Sequence, residues 1–140
     1  MKDTIMQEMI WDNTMSVNVE SLDAQHKTLF AIINELGGAM DSGITDVAIG
    51  SVLSKLIVYA QNHFEYEENC MAVACFANHE EHKCEHAALI KKVKTYEQEY
   101  LSGKTSVAVD VMNLLQQWLR HHIMKIDRQY SSHLVQSGVQ

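Results

Sequence analysis

Apolar residues recur at steps of three and four over four long stretches of the chain, the spacing of amphipathic α-helices. The stretches cover residues 22–40, 49–71, 82–100 and 107–130. The chain contains no proline and only six glycines, so little in it would interrupt a helix. The pattern therefore predicts an all-α fold with four main helices.

The connections between the stretches are short. Asp41-Ser42-Gly43 is expected to end the first helix, residues 74–77 form a turn, and Ser102-Gly103 ends the third helix. Consecutive helices joined in this way lie side by side in opposite directions, which predicts an up-down-up-down antiparallel four-helix bundle. We expect a single domain over residues 1–140, with the bundle at 21–135 and an N-terminal arm at 1–20.

Polar residues that commonly cap helices precede each stretch, and they set the expected starting points. The candidate N-caps are Ser21, Thr45, Asn78 and Ser106. Asn78, with Glu81 three residues later, resembles a capping box. The arm contains Trp11, which we expect to pack on the domain.

Composition narrows the class of protein. Net charge is −7 and the basic residues are scattered, which argues against nucleic acid or an anionic membrane as a partner. No apolar run is long enough to span a membrane, and the N-terminus lacks the apolar block of a signal peptide. The three cysteines, Cys70, Cys75 and Cys84, form no Cys-x-x-Cys pair, which favours a reducing, cytoplasmic setting. We expect Cys70 and Cys84 to be buried, inert thiols.

Histidines and carboxylates lie on the apolar stripes of the helices. His63 and Glu67 are four residues apart, as are His82 and His86, so each pair shares one helix face. A buried glutamate is costly unless it is paired or bound to a metal ion. His26 on the first helix, and His122 and Asp127 on the fourth, complete a set of seven that an antiparallel bundle would gather near one end.

Each of these features also has an ordinary interpretation when it is taken alone. His26 could be a hydrogen-bonded core histidine, and His63 with Glu67 could be a surface pair. The other histidines, His79, His121 and His133, fall off the stripes and are expected at the surface, and Glu68 is expected to face solvent or to support a ligand from outside. The coincidence of seven suitable residues at matching levels of four helices favours the metal interpretation.

The number of candidate ligands exceeds what one zinc ion needs, which is four. Five imidazoles, two bridging carboxylates and one oxo or hydroxo bridge fill about eleven of the twelve positions around two six-coordinate ions, leaving one position for a small ligand. Imidazole and carboxylate together suit iron.

Four segments resemble those of the hemerythrin family, specifically its single-domain bacterial members. The segments are Leu22-Asp23-Ala24-Gln25-His26-Lys27-x-Leu29-Phe30, His63-Phe64-x-x-Glu67-Glu68, His82-Lys83-x-Glu85-His86 and Trp118-Leu119-x-x-His122-Ile123-x-x-x-Asp127. The resemblance implies two iron ions. It implies that one is held by His82, His86 and His122, that the other is held by His26 and His63, and that Glu67 and Asp127 bridge them. It further implies that dioxygen binds at the iron with two histidines. The family usually has a Gly-aromatic-Pro element in the turn where this chain has Cys75-Phe76-Ala77.

The spacing from His122 to Asp127 makes a specific structural prediction. A five-residue step in a regular α-helix turns the second side chain about 140° away from the first. For both to face one site, the helix must widen locally, as in a π-bulge.

Six apolar residues lie within about one turn of a candidate ligand. They are Leu29, Phe30, Ile33, Trp118, Leu119 and Ile123. They are ordinary core positions, and they would also keep a ligand pocket dry.

The hypothesis that follows is reversible dioxygen binding at a non-haem di-iron centre. Bundle enzymes that activate oxygen use carboxylate-rich sites, whereas five neutral imidazoles favour a site that releases oxygen again. The alternatives are an enzyme that reduces nitric oxide or peroxide at the same centre, and a sensor that acts through a partner protein. Any redox or oxygen-receiving partner protein is left unspecified by the sequence.

Overall fold

The computed structural model describes residues 9–41, 46–104 and 106–139, and within these ranges every regular element is helical. The elements are a 3₁₀ turn at Asn13–Met15, α1 at Glu20–Asp41, α2 at Asp46–Val73, α3 at His79–Leu101, α4 at Val107–His121, a π-helical segment at His122–Asp127, and α5 at Arg128–Gln136. The predicted all-α fold class is confirmed. None of the described helices has both the length and the apolar character that a membrane span requires.

Helices α1 and α2 run in opposite directions, because the later part of α2 meets the start of α1. Tyr66 Oη donates a hydrogen bond to Ser21 Oγ at 2.9 Å. Farther along, Lys55 Nζ of α2 lies 3.2 Å from Glu35 Oε2 of α1. The order of the two contacts shows that the helices are antiparallel.

Helices α2 and α3 are also paired in opposite directions. His86 lies near Glu68, and Ser54 Oγ donates to Glu97 Oε2 at 2.7 Å. Helix α4 contacts both α3 and α1, which closes the arrangement around a shared interior.

Two hydrophobic clusters fill that interior, and the candidate metal residues lie between them. On α1, His26 follows Leu22 of the smaller cluster and precedes Leu29 of the larger one. On α2, Glu67 lies between Phe64 of the larger cluster and Met71 of the smaller one. The polar layer is therefore sealed on both sides by packed apolar residues.

The described part of the N-terminal arm packs on the helices, as expected for a segment with a tryptophan. The Trp11 and Phe30 rings meet edge to face with centroids 5.7 Å apart. Asn34 of α1 accepts from the Met9 amide and donates to the Met9 carbonyl, both at 2.8 Å. These contacts hold the arm beside the start of the bundle.

The start of α1 corrects one prediction. The helix begins at Glu20, so Ser21 lies inside its first turn and is not the N-cap. Instead, the Asp23 carboxylate reaches back along the chain. It accepts from the Val17 amide at 2.9 Å and from Ser16 Oγ at 2.5 Å. A carboxylate in the first turn also interacts favourably with the helix dipole.

Two other predicted N-caps lie at the expected positions, but their side chains do not cap the helices. Asn78 and Ser106 occupy the N-cap positions of α3 and α4, but neither side chain makes a capping hydrogen bond. The capping box with Glu81 is therefore wrong, because the Asn78 side chain does not make its half of the reciprocal bonds. The predicted end of α3 is confirmed, since Gly103 takes a positive φ of 109° just after the helix. Thr45 and Ser42-Gly43 lie outside the described residues.

Replacing Asp23 with alanine should destabilise the protein more than removing another acid from the same turn. The Asp23→Ala variant loses both bonds to the arm, and we expect the free energy of unfolding to fall by about 1–2 kcal/mol. Urea denaturation followed by circular dichroism would measure it. The matched control is Glu20→Ala, which removes an exposed first-turn acid and keeps the Asp23 bonds. Equal losses in the two variants would contradict the assignment of Asp23 as the link between arm and helix.

Candidate metal centre

The structure brings all seven predicted metal-binding side chains into one buried layer. Each is at most 3% exposed. They are His26 from α1, His63 and Glu67 from α2, His82 and His86 from α3, and His122 and Asp127 at the two ends of the π segment.

The larger group contains five donor atoms. His122 Nε2 lies 2.9 Å from His82 Nε2 and 3.0 Å from His86 Nε2. Glu67 Oε1 lies 3.0 Å from His86 Nε2 and 3.1 Å from His82 Nε2. Asp127 Oδ1 lies 2.9 Å from the Nε2 atoms of both His82 and His122. Three imidazoles and two carboxylates thus converge on one point.

The smaller group uses the remaining carboxylate oxygens. His26 Nε2 and His63 Nε2 each lie 3.3 Å from Glu67 Oε2. His26 Nε2 also lies 3.3 Å from Asp127 Oδ2. Each carboxylate therefore presents one oxygen to each group, which is the arrangement of a bridging ligand between two neighbouring ions.

The spacing of these atoms fits cation binding better than hydrogen bonding. Donors at right angles around an ion, each about 2.1 Å from it, are separated by about 3.0 Å. Three imidazole nitrogens that face one another cannot all be satisfied by shared protons. Asp127 Oδ1 is close to two ring nitrogens, yet no contact to it has hydrogen-bond geometry, and it is buried. A shared positive ion satisfies all of these atoms at once.

Hydrogen bonds on the outer ring nitrogens orient two of the histidines. His63 Nδ1 donates to Gln25 Oε1 at 2.7 Å, and His86 Nδ1 donates to Glu68 Oε2 at 2.8 Å. A proton on Nδ1 leaves the Nε2 lone pair free to face the centre. Glu68 therefore supports a ligand from outside, one of its two expected roles. Gln25 was not predicted, because its partner on α2 depends on the register between helices.

Aromatic rings also hold imidazoles of the layer in place. The Phe64 ring is stacked on His86 with centroids 3.8 Å apart and an interplanar angle of 4°. The Trp118 ring is stacked on His122 at 4.0 Å and 12°. Flat contacts of this kind restrict rotation of the imidazoles about their side-chain bonds.

Tyr130 is a further member of the site that sequence reasoning assigned only to the apolar stripe. Its hydroxyl donates to Glu67 Oε2 at 2.8 Å, and its ring lies 5.6 Å from the His82 ring. Burial and the nearby charges of Asp127 and Glu67 raise the pKa of Tyr130 well above its ordinary value. The hydroxyl therefore stays protonated and remains a donor to the carboxylate. Tyr130 lies three residues after Asp127, and that spacing by itself gave no signal of a contact with Glu67 on α2.

The π-helical segment explains how His122 and Asp127 face the same site. The segment runs from one to the other, so the predicted local widening is confirmed. A π turn carries a residue more than an α turn, which offsets the rotation that separates them in a regular helix.

The charges of the layer are mutually stabilising. Burial alone would lower the pKa of His26 and of His82, but hydrogen bonds and attraction to Asp127 and Glu67 raise each to about 9. Burial would raise the pKa of Glu67, yet its histidine partners hold it well below its ordinary value. The pKa of Asp127 is likewise lowered, because His122 and His26 outweigh burial and the charge of Glu67. Both carboxylates are therefore anionic and suited to a cation.

The apolar residues expected near the ligands lie in the larger cluster. Leu29, Phe30, Ile33, Leu119 and Ile123 are buried there, and Trp118 is half-buried against it. Their part in a ligand pocket remains a prediction.

Trp11 also belongs to the surroundings of the site, although its sequence position predicts only packing on the domain. Its ring centroid lies 6.5 Å from that of His26. The arm carries no clear periodicity, so nothing in the sequence placed Trp11 over a particular histidine.

The three remaining histidines are only partly as expected. His121 is exposed, while His79 is partly exposed and its Nδ1 lies 3.6 Å from Glu80 Oε1. His133 is partly exposed like His79, and its ring is hydrogen-bonded to the Ala74 carbonyl.

The cysteines divide in a similar way. Cys70 is buried, as predicted, and burial raises the pKa of its thiol. Cys84 is exposed, so its predicted burial is wrong: it lies between the inward-facing His82 and His86 and points away from them. Cys75 is exposed as well.

Comparisons with known proteins agree with this geometry. A family model described as the hemerythrin HHE cation binding domain matches residues 17–134. A bacteriohemerythrin of Methylococcus capsulatus is 34% identical over 113 residues, which are 81% of this chain and 86% of that protein. A hemerythrin-like protein of Naegleria gruberi is 31% identical over 130 residues, which are 93% of this chain and 97% of that one.

The structure is similar to a crystal structure of wild-type hemerythrin. The TM-score is 0.85 at 32% sequence identity, and the match covers 91% of this chain and 98% of the other. The family model covers most of the chain, including all seven residues of the buried layer. The chain belongs to the hemerythrin family.

Proposed function

We propose that the chain is a cytoplasmic, single-domain, up-down-up-down four-helix bundle that holds two iron ions and binds dioxygen reversibly. Each of the two groups of donor atoms in the buried layer would hold one iron. One iron would be held by His82, His86 and His122, the other by His26 and His63, with Glu67 and Asp127 bridging both.

The unequal number of donors in the two groups is the observation that carries this proposal. Five protein atoms face the first position and four face the second. One oxo or hydroxo bridge would complete the first ion at six ligands and leave the second with five. The open position beside His26 and His63 is where a small exogenous molecule would enter. The two iron ions, when bound, would supply the two electrons that dioxygen accepts on binding.

The protein's own residues favour binding over further reaction. Outside the seven, the buried hydroxyls of Ser131 and Tyr130 are already engaged: Ser131 donates to the Val17 carbonyl and Tyr130 donates to Glu67. Neither is a free acid or base of the kind that an enzyme uses to transfer protons. Trp11, which packs against Phe30, lies beside the His26 ring and would restrict water there.

Dioxygen binding can be tested with the iron-loaded full chain. We expect two iron ions per chain by metal analysis. The reduced, colourless protein should develop an absorption band in air and lose it again under vacuum, over repeated cycles. Irreversible oxidation with turnover of peroxide or nitric oxide would contradict the carrier function and favour an enzyme instead. A reversible band that changes binding to a partner protein would favour a sensor.

Tyr130→Phe should make the oxygen complex less durable. Without the donated hydrogen bond, Glu67 Oε2 becomes a stronger anionic ligand and favours ferric iron, so oxidation of the complex in air should be several-fold faster. The decay of the oxygen-dependent band would measure this rate. The control is Tyr66→Phe, which removes a hydroxyl that bonds to Ser21 on the protein surface. If both variants decay at the wild-type rate while keeping two irons per chain, the hydroxyl does not tune the site.

A further inference from the structure

A groove between α2 and α3 opens beside the metal centre. Its volume is about 480 Å³. The apolar part of its wall includes Phe64, Ala87 and Ile90, and three lysines line it as well. We call it the α2/α3 groove. The lysines are Lys83, Lys91 and Lys94.

The wall of this groove includes side chains of the metal centre itself. His86 and Glu68 both line it, and Glu68 accepts the hydrogen bond from His86 Nδ1. Phe64, which also lines it, is stacked flat on the His86 ring. A molecule bound in the groove would therefore lie next to His86, which faces the first metal position.

The charges of the groove favour an anion. The chain as a whole carries a net charge of −7, yet three of its eleven basic residues gather here. Within the described parts of the chain, none of the three lysines forms an ion pair. Of the two carboxylates in the lining, Glu68 is bonded to His86, while Glu65 is exposed. The apolar wall also favours an anion with an apolar body, such as an aromatic ring system.

A second cavity reaches another histidine of the layer, and it differs from the α2/α3 groove in size and in charge. It is bounded by His82 with Glu81 and Glu85, and its volume is about 70 Å³. That is too small for an organic ring system, and its carboxylates repel anions. Of these two openings toward the histidines, only the α2/α3 groove suits an organic anion.

We propose that the α2/α3 groove binds a planar organic anion of the reduced flavin mononucleotide class, which re-reduces the iron pair. This inference rests on the proposed di-iron function, because dioxygen can accept electrons only from ferrous ions. The dihydroflavin gives up two electrons and two protons and becomes oxidised flavin. Each of the two ferric ions accepts one electron, and the protons go to solvent. The flavin ring would lie along the apolar wall formed by Ala87 and Ile90, next to the edge of Phe64, and the phosphate would lie beside Lys91 and Lys94, which are one helical turn apart.

Binding is tested first, with oxidised flavin mononucleotide as the probe and the iron-loaded full chain. Flavin fluorescence should be quenched on binding, and riboflavin, which has the same ring and no phosphate, should bind more weakly. The Lys91→Gln, Lys94→Gln double variant should raise the Kd for flavin mononucleotide about fivefold at low salt, because each exposed ammonium contributes modestly to phosphate binding. The control is Lys92→Gln, which removes an exposed charge from the same helix outside the groove and should leave the Kd unchanged.

Electron transfer is tested next, by mixing the diferric protein with reduced flavin mononucleotide without oxygen and following the loss of ferric absorption. The double variant should slow this reaction by about the same factor as it weakens binding, and Lys92→Gln should not. Equal binding of flavin mononucleotide and riboflavin, or equal rates in both variants, would overturn the proposal. The proposal would also be overturned if the lysine substitutions slowed reduction by an acidic redox protein but did not slow reduction by flavin mononucleotide. The two proposals can fail separately. If the iron-loaded chain binds flavin mononucleotide but does not release oxygen, the carrier function is refuted and the flavin site in the groove is supported.

Discussion

Burial of charge in the middle of the bundle is the constraint on which the rest of the structure depends. Glu67 and Asp127 are almost fully removed from water, and two unpaired carboxylates could not be kept there. Five imidazoles surround them, and Tyr130 adds a hydrogen bond to Glu67. Because every partner comes from a different turn or helix, the charges can be balanced only when all the main helices are in register. The same contacts that position a metal pair therefore specify the fold.

The apolar residues give this polar layer its rigidity. The layer lies between a large cluster and a small one, so water cannot reach it lengthwise through the interior of the bundle. Stacked rings fix His86 and His122, whereas the His26 ring has no flat partner among the described residues: Trp11 meets it at a tilt and His63 meets it edge to face. The side of the site with three histidines is thus held more tightly than the side with two. That difference suits a centre in which one ion keeps its ligands while the other exchanges one.

Much of the fold and of the site could be predicted because local spacing encodes them. The steps from His63 to Glu67 and from His82 to His86 fix a helix face, and the five-residue step from His122 to Asp127 indicated the π segment. Contacts that depend on the register between helices could not be predicted, such as Gln25 with His63 or Tyr130 with Glu67. The start of α1 was placed wrongly because Asp23, not Ser21, bonds to the preceding backbone. Several polar residues nearby were suitable, and only packing of the arm selects one.

The π segment also carries a cost in the stability of the last helix. An uninterrupted α-helix from α4 through α5 would form better backbone hydrogen bonds and pack more regularly. Removal of a single residue between His122 and Asp127 would allow it, since the two would then be four positions apart and would still share one helix face. Tyr130 would keep its three-residue step from Asp127, and Leu134 would keep its place in the small cluster. The widened turn is thus a phase correction: it absorbs one extra residue, so that the helix before it stays aligned with the large cluster and the helix after it with the small one.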